Sequence, residues 1–391
     1  MNHTAAHLTD YVFPDVGVRQ WVLSFPFSLR FLMAYRPKLT SQILKVFINT
    51  VQSRYRKKAK ELGFKNTQGG AVTVIQRAGG ALNSNVHFHT LFLDGVYLEN
   101  NERFQFLPIY GPDAEEVKIL TEKIRKKVIR LLDKKGYFDE DQASSESAQE
   151  SLTQASIMQT STVGERAGKI IRRLKNELLE TNEKYSIGGG VNISGFSLHA
   201  NVKIPAGNRK KLEKLCRYIS RGPIATERMF EMPGGDIGYK MKRPWHDGTT
   251  HVLFTPHELI EKLVALIPPP RANLVRYHGV LAPNSKWREH VVPKVESVEP
   301  KKSAPGQKVP NMNWSEMLKR VFAIDATKCQ FCGGQLKLIA TVKETQAIQA
   351  ILESMELPAV APKFKPARGR APPSFDQFSD SSDESQLPAN W

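Results

Sequence analysis

Apolar residues recur every three to four positions over "SQILKVFINTVQSRYRKKAKELG" (41–63), with Ile43, Val46, Phe47, Val51 and Tyr55 on one stripe. This spacing predicts an amphipathic helix, followed by the basic run Arg54–Lys60 and stopped at Gly63. A second helix is predicted over 115–135, where Val117, Leu120, Ile124, Val128 and Leu131 hold helical spacing and Gly136 ends the run. Between the two the period changes. "AVTVIQ" (71–76) and "VHFHTLFLDGVYL" are β-rich and flank the turn material "GGALNSN", which predicts an antiparallel hairpin with Ala81 and Leu82 at its tip.

Downstream, "GERAGKIIRRLKNELLE" (164–180) reads as a helix. "FSLHANVKIP" (196–205) reads as a strand with Leu198, Ala200, Val202 and Ile204 on one side and His199, Asn201 and Lys203 on the other. Residues 208–221 form a helix capped by Asn208 and closed by Gly222 and Pro223. "GDIGYKMKRPW" and "THVLFTP" look like two more strands, and "PHELIEKLVALIPPP" is a helix begun by Pro256 and stopped by prolines.

Composition divides the chain. Residues 1–70 read as an amino-terminal helical region and 71–290 as the main domain, with a Ser/Gln/Glu-rich flexible insertion at 139–162. A Pro/Lys/Ser-rich linker follows at 291–313, then a small module at 314–357 and a disordered Pro/Ser/Asp-rich tail at 358–391. No apolar run is long enough to span a bilayer, and the amino terminus lacks a signal peptide's basic and apolar blocks. The expected compartment is therefore the cytoplasm. Fifty-six Lys+Arg against thirty-nine Asp+Glu give a net charge of +17. That excess favours a polyanionic partner, chiefly nucleic acid.

The candidate chemistry begins at "NVHFHTLFLDGVY" (85–97). Strand alternation puts His87 and His89 on one face, where neutral imidazoles can hold a divalent cation. With Ala81 and Leu82 at the tip, Gln76 stands across from His87 and Val74 from His89, so Gln76 offers a carbonyl oxygen beside the pair. His199, on the polar face of its own strand, is the competing third ligand. Two nitrogens and an oxygen leave room for phosphate oxygens and water around Mg²⁺ or Mn²⁺.

In the helix 208–221, Leu212, Leu215 and Ile219 form the apolar stripe and Tyr218 lies off it. Lys211 and Lys214 share its flank, and Arg217 and Arg221 extend the basic surface. A phenol in that setting can attack phosphorus when the phosphate is polarised. Lys240, Lys242, Arg243 and Arg276 are candidate contacts to a nucleic-acid backbone.

These segments carry a resemblance. "VTVIQRAGGALN", "NVHFHTLFLDGVY" and "FSLHANVKIPAGNRKKLEKLCRYISRGPIA" resemble the HUH-type rolling-circle transposases of bacterial insertion sequences, the group that includes ISCR elements. "VRQWVLSFPFSLRFLMAY" and "KRPWHDGTTHVLFTPHELIEKLVALIPPPRANLVRYHGVLAP" extend the match to roughly residues 5–293, in order. The resemblance implies an α+β fold with a central antiparallel, RRM-like sheet, the histidines on a central strand and the tyrosine on a nearby helix. It implies metal ligation by His87 and His89, with Gln76 near the position of the third ligand, and Tyr218 as the nucleophile. It also implies single-stranded DNA of element ends and target as substrate, nicked and rejoined through a 5′-phosphotyrosine, with host replication proteins as further partners. Many relatives carry a second tyrosine four residues on; Gly222 stands there, so the chain resembles the single-tyrosine branch. Relatives also have a cysteine-rich segment ahead of "TAAHL". The alternatives are a related replication initiator or relaxase, or a truncated, inactive DNA-binding remnant.

Three cysteines make no disulfide framework. Cys329 and Cys332 in "CQFCGG" form half of a zinc site, and the third, Cys216, is far away in sequence.

Overall fold

The computed structural model describes residues 2–100, 103–137, 148–175, 191–294 and 312–359, except single positions 243, 246, 330, 338, 340 and 341. Residues 295–311 of the expected linker 291–313, and the tail beyond 359, lie outside them. Two compact units form, one within 3–296 and one within 297–372.

The first unit contains helices α1 (Asn2–Tyr11), α2 (Phe27–Tyr35), α3 (Pro37–Glu61), α4 (Ala114–Asp133), α5 (Ala148–Met158), α6 (Arg209–Ile219), α7 (Pro256–Leu266) and α8 (Arg288–Val291). Its strands are β1 (Val18–Ser24), β2 (Thr67–Gln68), β3 (Gly70–Ala78), β4 (Ser84–Leu93), β5 (Gly95–Asn100), β6 (Arg103–Pro108), β7 (Arg172–Lys175), β8 (Val191–Ile193), β9 (Phe196–Ile204), β10 (Met229–Glu231), β11 (Ile237–Lys240), β12 (Thr249–Phe254) and β13 (Val275–Gly279). The main sheet is antiparallel throughout, in the order β13-β3-β4-β1-β9-β8. Two smaller sheets, β10-β11-β12-β7 and β2-β5-β6, flank it. The class is α+β, with helices on both faces of the main sheet.

The helices end where the sequence sets their caps. Asp113 accepts the Glu116 amide at the start of α4 (2.7 Å), and Asn208 accepts the Lys211 amide at the start of α6 (3.1 Å). Thr255 and Glu258 form a reciprocal capping box on α7. Gly63 and Gly136 take φ of +89° and +67° after α3 and α4, a conformation that costs glycine little.

Alternation along β4 separates two cores. Val86, Phe88 and Phe92 face α2, α3 and α4, joining Trp21, Phe47, Ile124 and Val128 in the larger cluster. Leu91 and Leu93 face the other way, against Leu8 of α1 and Leu212, Cys216 and Ile219 of α6. His87 and His89 share that second face.

Three expectations change. Residues 1–70 are not a separate helical region, because β1 lies between β4 and β9 in the centre of the sheet. Residues 164–180 do not continue as a helix. Gly164 and Gly168 adopt φ of +74° and +78°, and the chain then pairs as β7 with the edge of β12; 176–180 are outside the described residues. The supposedly flexible 139–162 contains α5, whose Ala155 and Ile157 are buried. There, Lys262 of α7 donates to the Thr160 carbonyl (2.5 Å), and Glu261 accepts the Thr162 and Val163 amides (2.9 Å each). The hairpin turns at Ala81 and Leu82 as the sequence predicts, and its tip is packed. Ala81 and Leu82 insert into a third cluster with Tyr239, Val252 and Phe254 of the second sheet.

The strand β9 shows how a buried charge shapes the sheet. Its pairing with β1 shifts between Gln20↔Val202 and Val22↔His199, which places one extra residue in β9. The single alternation read across 196–205 therefore breaks. Leu198 and Ala200 enter the larger core, Ile204 enters the other, and Val202 is largely exposed. Arg19 donates to the carbonyl of Ala200 at this bulge (3.0 Å), and both ends of its guanidinium grip Asp94 (2.9 and 3.0 Å). Asp94 also accepts the Tyr55 hydroxyl (3.0 Å), tying α3 to the sheet. All three residues are buried.

Breaking one partner of such a group leaves an uncompensated buried charge. Asp94→Asn is expected to lose about 3–5 kcal/mol of stability, whereas Tyr55→Phe should lose about 1 kcal/mol. Urea unfolding of both variants checks this; equal, sub-kilocalorie losses would show that the pair does not hold the sheet.

Candidate active site

The hairpin register is the one the sequence predicts: Gln76 pairs with His87 and Val74 with His89. The two Nε2 atoms converge to 3.1 Å. His87 donates from Nδ1 to the carbonyl of Asn85 (2.8 Å), so its Nε2 carries the lone pair. His89 Nδ1 meets the Gln20 side-chain amide nitrogen at 2.8 Å. A continuous relay results: Gln20 donates to His89, His89 to His87, and His87 to the backbone. Burial lowers the pKa of both rings, His87 to about 4 and His89 well below the ordinary value. The positive charges of Arg30 and Arg221 push in the same direction.

Two neutral imidazoles with converging Nε2 atoms suit a divalent cation. For both lone pairs to be free together, the His89 proton must sit on Nδ1, and the Gln20 amide must turn its oxygen in place of its nitrogen toward the ring to accept it. Gln76 donates its amide nitrogen to the Ile219 carbonyl (2.8 Å), which leaves its oxygen for a cation. Among the described residues no third histidine, cysteine or carboxylate joins the group. His199 lies on the same face but two strands from His89, across Val22. That separation is about 10 Å, and His199 does not line the cleft.

Tyr218 stands over this pair. Leu212, Cys216 and Ile219 bury their side of α6 against the histidine face, with Leu215 half-buried, and Tyr218 emerges from the flank at 38% exposure. Its ring meets His89 edge-on, with centroids 6.2 Å apart and planes at 81°. Arg221 Cζ and Lys242 Nζ each lie 4.7 Å from the Tyr218 ring centre.

Gln76, His87, His89, Tyr218, Arg221 and Lys242 line one cleft of about 730 Å³. Arg77, Arg221, Arg228 and Lys242 contribute four cationic side chains, and no Asp or Glu is among its described lining residues. Leu263, Leu266, Ile267, Pro268 and Leu274 form an apolar wall. Arg77 is fixed by donating to the last carbonyls of two helices, Ala34 of α2 (3.1 Å) and Leu266 of α7 (3.3 Å).

Of the predicted backbone contacts, Arg221 and Lys242 therefore reach the tyrosine. Lys211 and Lys214 are exposed along α6, Lys240 is exposed on β11, and Arg217 is paired with Glu213 (3.3 Å). Arg276 is not brought to the cleft. It pairs with Thr73, whose side chain bonds Thr90 on the opposite face of the sheet, and donates to the Asn273 carbonyl. Arg243 lies outside the described residues. Sequence reasoning missed Gln20, Arg77 and Arg228; Gln20 reaches His89 across 69 positions, whereas Arg77 follows Gln76 directly and adjacency to the predicted ligand was the signal that could have found it.

The buried neutral histidines predict an acid-side loss of stability. Their folded pKa values lie below the unfolded value near 6.5, so the unfolded chain binds more protons between about 6.5 and 4. Stability is thus full above that window and falls as pH drops, by about 1.4 kcal/mol per pH unit and per histidine. In EDTA, urea unfolding of wild type and a His87→Gln/His89→Gln variant at pH 7 and pH 5 should show the wild type losing more; parallel losses would mean the rings are not neutral by burial.

Comparison with curated proteins and comparison with solved structures each give no match. Among the described residues no helix is long and apolar enough to cross a membrane. A sequence profile of the family described as putative transposase matches residues 70–288, from β3 through the first residue of α8. That span contains both histidines, Gln76 and Tyr218, and it exceeds half of the chain, so this protein belongs to the putative transposase family.

Proposed function

We propose that the protein is a single-tyrosine HUH transposase that nicks and rejoins single-stranded DNA at the ends of an insertion sequence. The observation carrying this reading is the Tyr218 ring between Arg221 and Lys242, edge-on to His89, in a cleft with four cations and no described carboxylate. A cleft of one charge sign concentrates a polyanion, and its apolar wall offers a surface for bases.

The Tyr218 hydroxyl attacks the scissile phosphorus in line. The bond from phosphorus to the 3′ oxygen breaks, that oxygen leaves with the electron pair and is protonated, and the phenol proton passes to solvent. The products are a 5′-phosphotyrosine and a free 3′-hydroxyl. Reversal by a 3′-hydroxyl of another strand rejoins DNA and releases the tyrosine, so no nucleotide cofactor is consumed. Arg221 and Lys242 stand over the Tyr218 ring and would meet the charge that builds on the phosphoryl oxygens. His87, His89 and Gln76 would hold a Mg²⁺ or Mn²⁺ ion, which when bound polarises the phosphate. Gln20 holds the His89 ring, and Gln76 braces α6 beside Tyr218 through the Ile219 carbonyl.

Tyr218→Phe keeps the ring and removes the hydroxyl. With labelled oligonucleotide from the element end and Mn²⁺, wild type should form an adduct that survives denaturing gels, and the variant should form none while still binding DNA. A label retained covalently by the variant would assign the nucleophile elsewhere. Neither protein forming an adduct would favour a DNA-binding remnant.

His87→Ala/His89→Ala should abolish divalent-dependent cleavage, a loss larger than the roughly 10–100-fold that removing only a ligand's outer partner costs, with the far-ultraviolet dichroism unchanged. Cleavage at the wild-type rate would remove the metal from the reading.

A further inference from the structure

The second unit contains a pair of thiols that the proposed chemistry does not use. Helix α9 (Trp314–Phe322) leads into a tight loop, and helix α10 (Thr345–Ser354) follows. The loop is closed by a bridge between Lys328 and Gln335. The Cys329 amide donates to the Gly334 carbonyl (2.8 Å), and the Gly333 amide donates back to the Cys329 carbonyl (3.0 Å). Gly333 takes φ of +69°, and a Cβ at Gly334 would sit 3.3 Å from Cys332 Sγ, so this glycine leaves room for that thiol. The backbone amides of Phe331 and Cys332 point at the Cys329 sulfur. Both thiols are free and neither is buried.

This is a built half of a tetrahedral metal site. Structural zinc takes four nitrogen or sulfur ligands, and two are here. The sequence from 291 to 391 contains no histidine and no cysteine beyond Cys329 and Cys332. Cys216, the remaining thiol, is fully buried in the other unit. A second observation belongs to the same unit: none of its described residues is buried. Ile348, Ile351 and Met355 lie at i, i+3 and i+7 along α10 and past its end and are 36, 44 and 61% exposed, and Phe331 at the tip of the knuckle is fully exposed. An apolar stripe of this kind is ordinarily covered.

We infer that Cys329 and Cys332 of two copies of this chain together bind one zinc ion, and that the second copy covers the apolar faces of this module. Binding releases the thiol protons to solvent and leaves a four-thiolate site shared between copies. Like ligands in like geometry are what a two-fold axis supplies, so no further residue type is needed.

The test uses the full chain with His87→Ala/His89→Ala, so that imidazoles do not compete, under a non-thiol reductant. Cobalt(II) replaces zinc as a probe, because its sulfur charge-transfer band reports thiolate ligands alone. The band should saturate at half an equivalent of cobalt per chain, with the intensity of four thiolates. Sedimentation should show a dimer with zinc and a monomer with EDTA. Adding Cys329→Ser and Cys332→Ser should abolish both the band and the zinc-dependent dimer while far-ultraviolet dichroism is retained. Saturation at one equivalent in a monomer would place the missing ligands within one chain and overturn the inference. A dimer insensitive to EDTA and to the serine variants, or no thiolate band at all, would overturn it as well.

Discussion

The candidate site depends on one packing contact: the apolar side of α6 laid against the same face of the sheet that carries the histidines. Leu212, Cys216 and Ile219 share a cluster with Val18, Val72, Leu91 and Leu93, all of which lie on β1, β3 or β4. A fully buried aliphatic side chain of this kind contributes about 1.5–3 kcal/mol, so the helix cannot rotate about its axis without exposing several. Rotation is what would carry Tyr218 away from His89. The phenol's place is thus fixed by residues that have no chemistry of their own. The Gln76 side chain locks the end of the same helix through the Ile219 carbonyl.

Burial and positive charge act in the same direction on the histidines, and both are needed by the proposed reaction. Burial keeps His87 and His89 neutral, which preserves ligand lone pairs. Arg221 reinforces this, since a protonated His89 beside a guanidinium is disfavoured. The same guanidinium, with Lys242, supplies the positive field that an incoming phosphodiester would neutralise. One cation therefore keeps its neighbouring imidazole uncharged and, on the proposed reading, would attract the substrate. A carboxylate in the lining would weaken both effects.

Local pattern carried much of this site. The turn length fixed the register of Gln76 and His87, because a hairpin leaves few ways to pair its strands. The stripe of α6 placed Tyr218 off the buried side, and Asn208 marked where that helix begins. What escaped the sequence was set by distant partners. The strand β1 was hidden because nothing local marks "VRQWVLS" as central; its neighbours β4 and β9 are about 70 and 180 residues away. The β9 bulge depends on Arg19 reaching the Ala200 carbonyl across 181 positions. The basic residues of 164–175 suit a helix as well as a strand, and the edge of β12 decides. Arg276 looked like a phosphate contact because charge is visible in sequence while the face of an unassigned strand is not.

The pair of glutamines, Gln20 and Gln76, bears on how cation and substrate would depend on each other. Mg²⁺ and Mn²⁺ prefer oxygen ligands and usually take their charge compensation from carboxylates. Among the described residues this cleft provides two imidazoles, neutral amides and four positive side chains instead. A divalent cation placed there alone would meet net repulsion from Arg221 and its neighbours. A phosphodiester removes that repulsion and brings the oxygens that the site lacks. On the proposed reading, then, the DNA is itself part of the metal's ligand set, and the site is built to be completed by its substrate rather than to hold a cation in advance. Replacing either glutamine with glutamate would strengthen the hold on the cation but would place a negative charge against the incoming phosphate. The neutral amide reconciles the two demands: it orients the ring or offers one oxygen, and adds no negative charge to a cleft whose proposed attraction for DNA rests on having none of that sign.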